Sequence, residues 1–145
     1  MIGRSLTRFE HEAVTSELGE PTTAVARRMR DRRVGCVVVT RNGHPVGIVT
    51  DRDLAVRVVA EGRDPRTTLV SEIVTYDATT LPRDAGIDTA ARLMRDRGIR
   101  RLPIVDDDGL LTGIVTADDL TILFSQELAD VGATLADSAD SDETR

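Results

Sequence analysis

The sequence Gly-Ile-Val-Thr-Asp-Arg-Asp-Leu at residues 47–54 returns later in the chain as Gly-Ile-Val-Thr-Ala-Asp-Asp-Leu at residues 113–120. In both stretches an apolar run ends in Thr, and an acid follows three residues later. Because Thr-x-x-Asp is typical of a capping box at a helix start, each stretch predicts a strand that passes directly into a helix.

The similarity extends outward from these two stretches. Residues 13–40 align with residues 78–105 without a gap, and residues 43–60 align with residues 109–126 after a one-residue insertion. Self-similarity at a fixed separation is the mark of an internal repeat. The chain is therefore predicted to contain two copies of one unit.

Each copy follows the order βαββα. A short extended segment precedes an amphipathic helix, whose apolar residues share one face: Val25, Ala26 and Met29 in the first copy and Ile87, Ala90, Ala91 and Met94 in the second. Gly98 lies where the glycine that ends this helix belongs. Two strands then form a hairpin, which in the first copy turns at Asn42-Gly43, a pair that tolerates positive φ at both positions. A second helix closes each unit. The hairpin strands and closing helices are predicted at residues 34–40, 46–50 and 51–61 in the first copy and at residues 100–105, 111–116 and 117–128 in the second.

The fold class predicted from this order is α/β (α+β), with two tandem βαββα domains at residues 8–62 and 70–128. One such unit alone would bury its sheet poorly. We therefore expect the two copies to pack face to face by pseudo-two-fold symmetry, with two equivalent clefts at the seam. Past Gly132 the chain is small, polar and acidic, so residues 133–145 are predicted to form a disordered acidic tail.

Composition argues against several functions. The net charge of −6 argues against nucleic-acid binding by phosphate neutralisation. No apolar run approaches the ~18 residues that a membrane span needs, so a cytoplasmic protein with no membrane partner is expected. Cys36 is the only cysteine, and His11 and His44 are isolated, so neither a disulfide nor a metal site is predicted. No nucleophile or acid–base pair stands out, and we do not expect an enzyme.

The two Thr-x-x-Asp segments allow a structural and a functional interpretation. Thr50 and Thr116 can serve only as helix caps, with Asp53 and Asp119 completing the capping boxes. A helix N-terminus that opens on a cleft also attracts phosphate through its unpaired N–H groups and positive dipole. An acid one turn along the helix can accept hydrogen bonds from ribose hydroxyls. The two interpretations are compatible.

A Gly-h-h-Thr-x-x-Asp segment (h, apolar) that closes a β-β-α run resembles the CBS domain, and the resemblance covers about residues 10–128. It implies a tandem CBS pair, or Bateman module, whose clefts bind AMP, ADP, ATP or S-adenosylmethionine. It also implies that Asp53 and Asp119 hold ribose hydroxyls and that Thr50 and Thr116 contact phosphate. The segments implied to bracket the adenine are those at Thr15 and Thr80 and the starts of the first hairpin strands (Val34, Gly35, Cys36 and Val37; Ile99 and Leu102).

The two copies differ at one place that matters for phosphate. Arg100 and Arg101, ahead of Leu102-Pro103, resemble the family pattern in which a basic residue before Leu-Pro contacts phosphate, whereas the alignment sets Gly35 and Cys36 opposite them. A guanidinium suits phosphate through its fork of donors. The alternative for Arg101 is a solvated residue paired with an acid of the turn at 106–107. The functional interpretation predicts one cleft better equipped for phosphate than the other.

Two functions remain open from the sequence. The first is a regulatory module that binds an adenine nucleotide or S-adenosylmethionine and acts in trans on a partner, such as an effector enzyme or transporter. The second is a dimerisation or interaction domain with vestigial clefts. The resemblance implies a homodimer in either case.

Overall fold

The first repeat contains a parallel strand, a helix, a hairpin and a second helix, in the predicted order. A computed structural model describes Leu6 and residues 9–142 of the chain; the predicted domain start at residue 8 and the last residues, 143–145, lie outside the described residues. The elements of the first repeat are β1 (Thr15–Glu17), α1 (Thr22–Arg32), β2 (Cys36–Arg41), β3 (His44–Thr50) and α2 (Asp51–Leu54), which continues as a π-helical segment over Ala55–Val59.

The second repeat follows the same plan with two additions. A short helix precedes it, and its last helix is long. Its elements are α3 (Val70–Ile73), β4 (Thr75–Tyr76), β5 (Leu81–Pro82), α4 (Ile87–Arg97), β6 (Arg101–Val105), β7 (Leu111–Thr116) and α5 (Ala117–Asp142).

The two repeats exchange short strands across their seam. The first sheet has the order β1-β2-β3-β4, so that β4, which begins the second repeat, completes the sheet of the first. The second sheet has the order β5-β6-β7, and His11, which precedes the first repeat, forms a bridge to Ile114 of β7. Each sheet is therefore finished by residues that lie next to the other repeat in sequence.

Each repeat has its own apolar core, built from strands and the inner face of its amphipathic helix. Val25 and Met29 of α1 are buried in the first core, and Ala90 and Met94 of α4 occupy the same places in the second. These are residues that the helical spacing predicted to lie on the inner face. Aliphatic residues fill the cores, as expected for a chain with an aromatic fraction of only 2%.

The predicted turn and helix end are confirmed. Asn42 and Gly43 have φ of 51° and 80°, which is the twist that a tight hairpin turn needs. Gly98 ends α4 with φ of 64°, a left-handed conformation that glycine adopts without a steric penalty. Arg33 takes the same conformation at the end of α1, with φ of 55°.

The acidic C-terminal segment differs from the prediction. Residues 133–142 continue α5 rather than forming a disordered tail. Once a helix is nucleated, each further residue that is fixed gains one hydrogen bond, which offsets much of its loss of backbone entropy. The hydroxyl groups of Thr134 and Ser138 also donate to the carbonyls of Asp130 and Thr134, within the helix. The composition that suggested disorder is thus compatible with a solvated helix.

Candidate functional site

Both Thr-x-x-Asp segments form complete capping boxes. The backbone N–H of Asp53 donates to the Thr50 hydroxyl at 3.1 Å, and the N–H of Thr50 donates to Asp53 Oδ2 at 2.8 Å. In the second repeat the matching distances between Thr116 and Asp119 are 3.2 and 3.0 Å. The capping interpretation is therefore confirmed, and the carboxylates are left at the mouths of the helices, with 17% and 19% of their side chains exposed.

A cleft of about 290 Å³ lies in front of the first capping box and is made by both repeats. Thr50 and Asp53 come from the first repeat, whereas the opposite wall comes from the second. We call this cavity the first cleft, and its lining residues are Ile48, Thr50, Asp53, residues 75–79 and residues 99–101.

The carboxylate of Asp53 keeps one oxygen available in the first cleft. Its Oδ2 accepts the Thr50 N–H, whereas Oδ1 has only a long ion pair with Arg57, whose Nε lies 3.8 Å away, beyond hydrogen-bond distance. The Thr50 hydroxyl accepts from Asp53 N–H and donates no hydrogen bond within the described part of the chain. The cleft thus offers an open acceptor and an uncommitted hydroxyl donor.

Two guanidinium groups stand on the other wall of the first cleft. Arg100 pairs with the exposed carboxylate of Asp118 at 3.0 Å. Arg101 extends toward the first repeat. Its Nη2 lies 3.6 Å from the position that a Cβ atom would occupy on Gly35, and the Asp51 carboxylate lies close to the same position. Within the described residues Arg101 forms no hydrogen bond or ion pair, so the predicted alternative of a pairing with the turn at 106–107 is wrong.

Cys36 lies beside this guanidinium, half-buried at the start of β2. Burial raises the pKa of the Cys36 thiol, although the charge of Arg101 works in the opposite direction. The thiol therefore stays protonated at neutral pH.

The second capping box has different surroundings, which we call the second cleft and define by Thr116, Asp119 and His11. The Nε2 of His11 lies 2.8 Å from Asp119 Oδ1, and the Thr116 hydroxyl donates to Asp119 Oδ2 at 2.7 Å. Burial works to raise the pKa of Asp119, but the hydrogen bonds from Thr116 and His11 outweigh it and hold that pKa below its ordinary value. Both oxygens of this carboxylate are already hydrogen-bonded.

The structure assigns the two predicted arginines to one of the clefts. The sequence predicted that one cleft would be better equipped for phosphate without saying which, and Arg100 and Arg101 face Thr50 and Asp53 of the first repeat. The reason is the strand exchange at the seam, which places the start of β6 in front of the opposite helix. The first cleft, which contains Asp53, is therefore the one with the cations expected to bind phosphate.

The remaining predicted residues lie in several places outside the first cleft. Val37, Leu102 and Pro103 are buried strand residues, so only their backbone could face a ligand. Thr15 lies on the outer strand β1, where its carbonyl accepts from Arg28 at 2.8 Å, in a surface depression away from the first cleft. Thr80 lines a neighbouring depression rather than the first cleft, Gly35 lies near Arg101 at the seam, and Val34 packs against the core of the first repeat.

Sequence analysis missed two contributors. The stretch at 75–79 lines the first cleft, and His11 contacts Asp119. One feature of the sequence could have found both, because the separation of the two copies makes His11 the counterpart of Tyr76. Both residues lie in segments that pair with the sheet of the other repeat.

Neither a metal cluster nor a membrane span is found among the described residues. No group of three or more potential ligands from His, Cys, Asp and Glu comes together in this part of the chain. Across Leu6 and residues 9–142, no helix combines the length and apolar character that crossing a bilayer requires.

The chain is similar to known proteins over both repeats. A model of the CBS domain matches residues 11–60 and 70–125. An uncharacterized protein of Methanopyrus kandleri is 40% identical over 110 residues, which are 75% of this chain and 56% of that protein. The CBS domain-containing protein YhcV of Bacillus subtilis is 39% identical over 97 residues, covering 67% of this chain and 68% of YhcV. This chain thus spans little more than half of the archaeal relative.

Solved structures share the fold. The CBS domain pair of protein MJ0100, solved in complex with 5-methylthioadenosine and S-adenosyl-L-methionine, superposes with a TM-score of 0.77 and 24% identity, covering 86% of this chain and 98% of the other. At this identity the likeness concerns the fold alone.

Proposed function

The chain belongs to the CBS domain family, and we propose that it is a non-catalytic regulatory module that binds an adenosyl ligand in the first cleft and acts in trans on a partner protein. The observation that carries the proposal is the meeting, in one cleft, of a carboxylate oxygen from one repeat and a guanidinium from the other, neither of which is hydrogen-bonded within the described residues. These groups suit the ribose and the phosphate of a nucleotide.

The carboxylate of Asp53 fits the ribose of such a ligand. Its Oδ1 makes no hydrogen bond within the described residues, and the capping box fixes the orientation of the side chain through Oδ2. A carboxylate accepts hydrogen bonds from both hydroxyls of a ribose without needing to donate. In this proposal Asp53 holds the ribose.

The guanidinium of Arg101 fits a phosphate or another anionic group. It lines the first cleft and has no ion pair within the described part of the chain, so no partner has to be displaced when an anion binds. Arg100 is a second donor on the same wall, although it first has to share or leave the exposed Asp118 carboxylate. The Thr50 hydroxyl adds a donor on the side of Asp53.

The comparisons support the class of ligand. The structure of the MJ0100 pair contains S-adenosylmethionine and 5-methylthioadenosine, both of which carry an adenosine group with ribose hydroxyls. AMP, ADP and ATP share that group and add the phosphate that the two arginines would recognise. We therefore propose a phosphorylated adenosine as the preferred ligand and S-adenosylmethionine as the weaker alternative.

Isothermal titration with AMP, ATP and S-adenosylmethionine tests this function. The wild-type chain is expected to bind at least one of them, and Asp53→Ala is expected to weaken binding by about 10-fold to 100-fold because a charge-assisted hydrogen bond is lost. Asp119→Ala is the matched control at the equivalent position and is expected to leave the first cleft unaffected. Binding of none of the three ligands by the wild-type chain would contradict the proposal.

We also propose a homodimer, for which the exposed face of α5 is the specific observation. Leu128, Val131 and Leu135 are 73%, 57% and 66% exposed, and they follow Phe124 at the alternating four- and three-residue spacing of a helix-pairing seam. A second copy presents the same stripe, so that an isologous pair buries both at once.

Sedimentation equilibrium tests the dimer. Leu128→Glu combined with Leu135→Glu is expected to shift the chain toward monomers, because it places like charges in the seam. Ala133→Glu, on the opposite side of the same helix, is the matched control and is expected to leave the mass unchanged. A monomeric wild-type chain, or an unchanged mass in the double variant, would contradict this interface.

A further inference from the structure

We propose that His11 closes the second cleft, because its ring is hydrogen-bonded to the Asp119 carboxylate that the ribose of a second ligand would need. The second cleft then binds an adenosyl ligand only after the His11 side chain has moved aside. This inference rests on the proposed function and concerns the regulation of its second site.

The contact between His11 and Asp119 is direct. His11 Nε2 lies 2.8 Å from Asp119 Oδ1, while Asp119 Oδ2 accepts both the N–H and the hydroxyl of Thr116 at 3.0 and 2.7 Å. A ribose hydroxyl that enters this cleft has to compete with the imidazole for Oδ1. At Asp53, by contrast, Oδ1 has no hydrogen bond to displace.

The backbone of His11 is anchored, but its ring can move. The His11 N–H donates to the Ile114 carbonyl at 2.9 Å, and the Ile114 N–H donates back to His11 at 3.0 Å, so the residue is fixed to the edge of β7. The side chain itself is 62% exposed. Opening the cleft therefore requires a rotation of one side chain and no loss of sheet structure.

The counterpart residue in the first cleft does not block its carboxylate. Tyr76 corresponds to His11 in the repeat, and its hydroxyl donates to the Ser71 carbonyl at 3.2 Å. Tyr76 thus forms part of the wall of the first cleft and leaves Asp53 accessible. His11 therefore closes the second cleft, whereas Tyr76 at the equivalent position forms part of the wall of the first.

Replacement of His11 is the direct test, with AMP as the probe in isothermal titration. We expect the wild-type chain to bind one AMP per chain and His11→Ala to bind two. The Asp53→Ala variant isolates the second cleft: alone it is expected to bind AMP only at the weakened first cleft, about 10-fold to 100-fold less tightly than wild type, and with His11→Ala added it is expected to gain one site that binds at least about 10-fold more tightly than Asp53→Ala does. His44→Ala, which replaces the other exposed histidine, is the control and is expected to keep one site.

The outcomes separate this inference from the proposed function. Two sites in the wild-type chain, or one site in both wild type and His11→Ala, would overturn the closure by His11 while leaving the first cleft as a ligand site. Binding that appears only when His11 is replaced would support the closure and overturn the assignment of the first cleft. The absence of binding in every variant would overturn both.

Discussion

The two clefts begin from the same Gly-Ile-Val-Thr-x-x-Asp segment and end with different properties. Asp53 faces an open cavity and Arg101, which has no ion pair in the described part of the chain, whereas Asp119 is hydrogen-bonded to His11. Because the repeats exchange short strands, each cleft is shaped by substitutions in the other repeat. A duplicated chain can therefore specialise one site by changing residues that align with the opposite copy.

The junctions between the first strand and helix of each repeat show a second contrast. In the first repeat, Glu20 accepts from Arg28, from Ser16 and from the backbone N–H of Glu17. The second repeat has apolar residues at the corresponding positions of Ser16, Glu20 and Arg28, and all three contribute to its core: Leu81, Ala85 and Leu93. One junction is held by a charged cluster and the other by burial.

Truncation of a side chain in the apolar junction should give the largest change, a loss of folding stability. Leu81 is fully buried, so Leu81→Ala should lower the free energy of unfolding by about 2–5 kcal/mol through lost burial and an unfilled cavity. Ser16→Ala at the equivalent position removes one hydrogen bond and should cost about 1 kcal/mol. Urea denaturation followed by circular dichroism measures both. Equal losses of unfolding free energy in the two variants would contradict the contrast between the junctions.

Removal of the Arg101 guanidinium tests whether this cation gives the first cleft its affinity for phosphate. Arg101→Ala should weaken AMP binding by about 10-fold to 100-fold, since a charge-assisted contact to phosphate contributes about 1.5–3 kcal/mol. Adenosine, which lacks the phosphate, should bind both proteins equally. Arg66→Ala, at an arginine paired with Asp64 in the loop, serves as the control. A parallel loss for AMP and adenosine would show that Arg101 acts on the shape of the cleft rather than on phosphate.

Acid should affect the charged junction of the first repeat. The hydrogen bond from Arg28 is the main cause that lowers the pKa of Glu20 from 4.5 to about 2, against a smaller opposing effect of burial. Because this pKa is depressed in the folded chain, the stabilisation is complete above pH 4.5 and is lost as the pH falls toward 2. With the Glu20 side chain 29% exposed, we expect a loss of about 1–2 kcal/mol.

Glu20→Gln provides the comparison for this pH dependence. The variant should be less stable than wild type at pH 7 and should show a smaller further loss between pH 4.5 and pH 2, as measured by urea denaturation at each pH. If the wild-type and variant curves run parallel throughout this range, the ion pair with Arg28 does not stabilise the junction.

Local patterns in the sequence predicted much of the fold. The hairpin at Asn42-Gly43, the ending of α4 at Gly98 and both capping boxes depend on residues close together in the chain, and all are present. The grouping of residues into clefts depends instead on the crossing of β4 and His11 between repeats. These contacts involve one or two residues, too few to produce a recognisable strand pattern.

A crystal structure of the chain with AMP would test the inequality of the two clefts most directly. We predict AMP in the first cleft, with its ribose on Asp53 and its phosphate beside Arg101, and an intact contact between His11 and Asp119 in the same crystal. AMP bound at Asp119 with the first cleft empty would contradict this account.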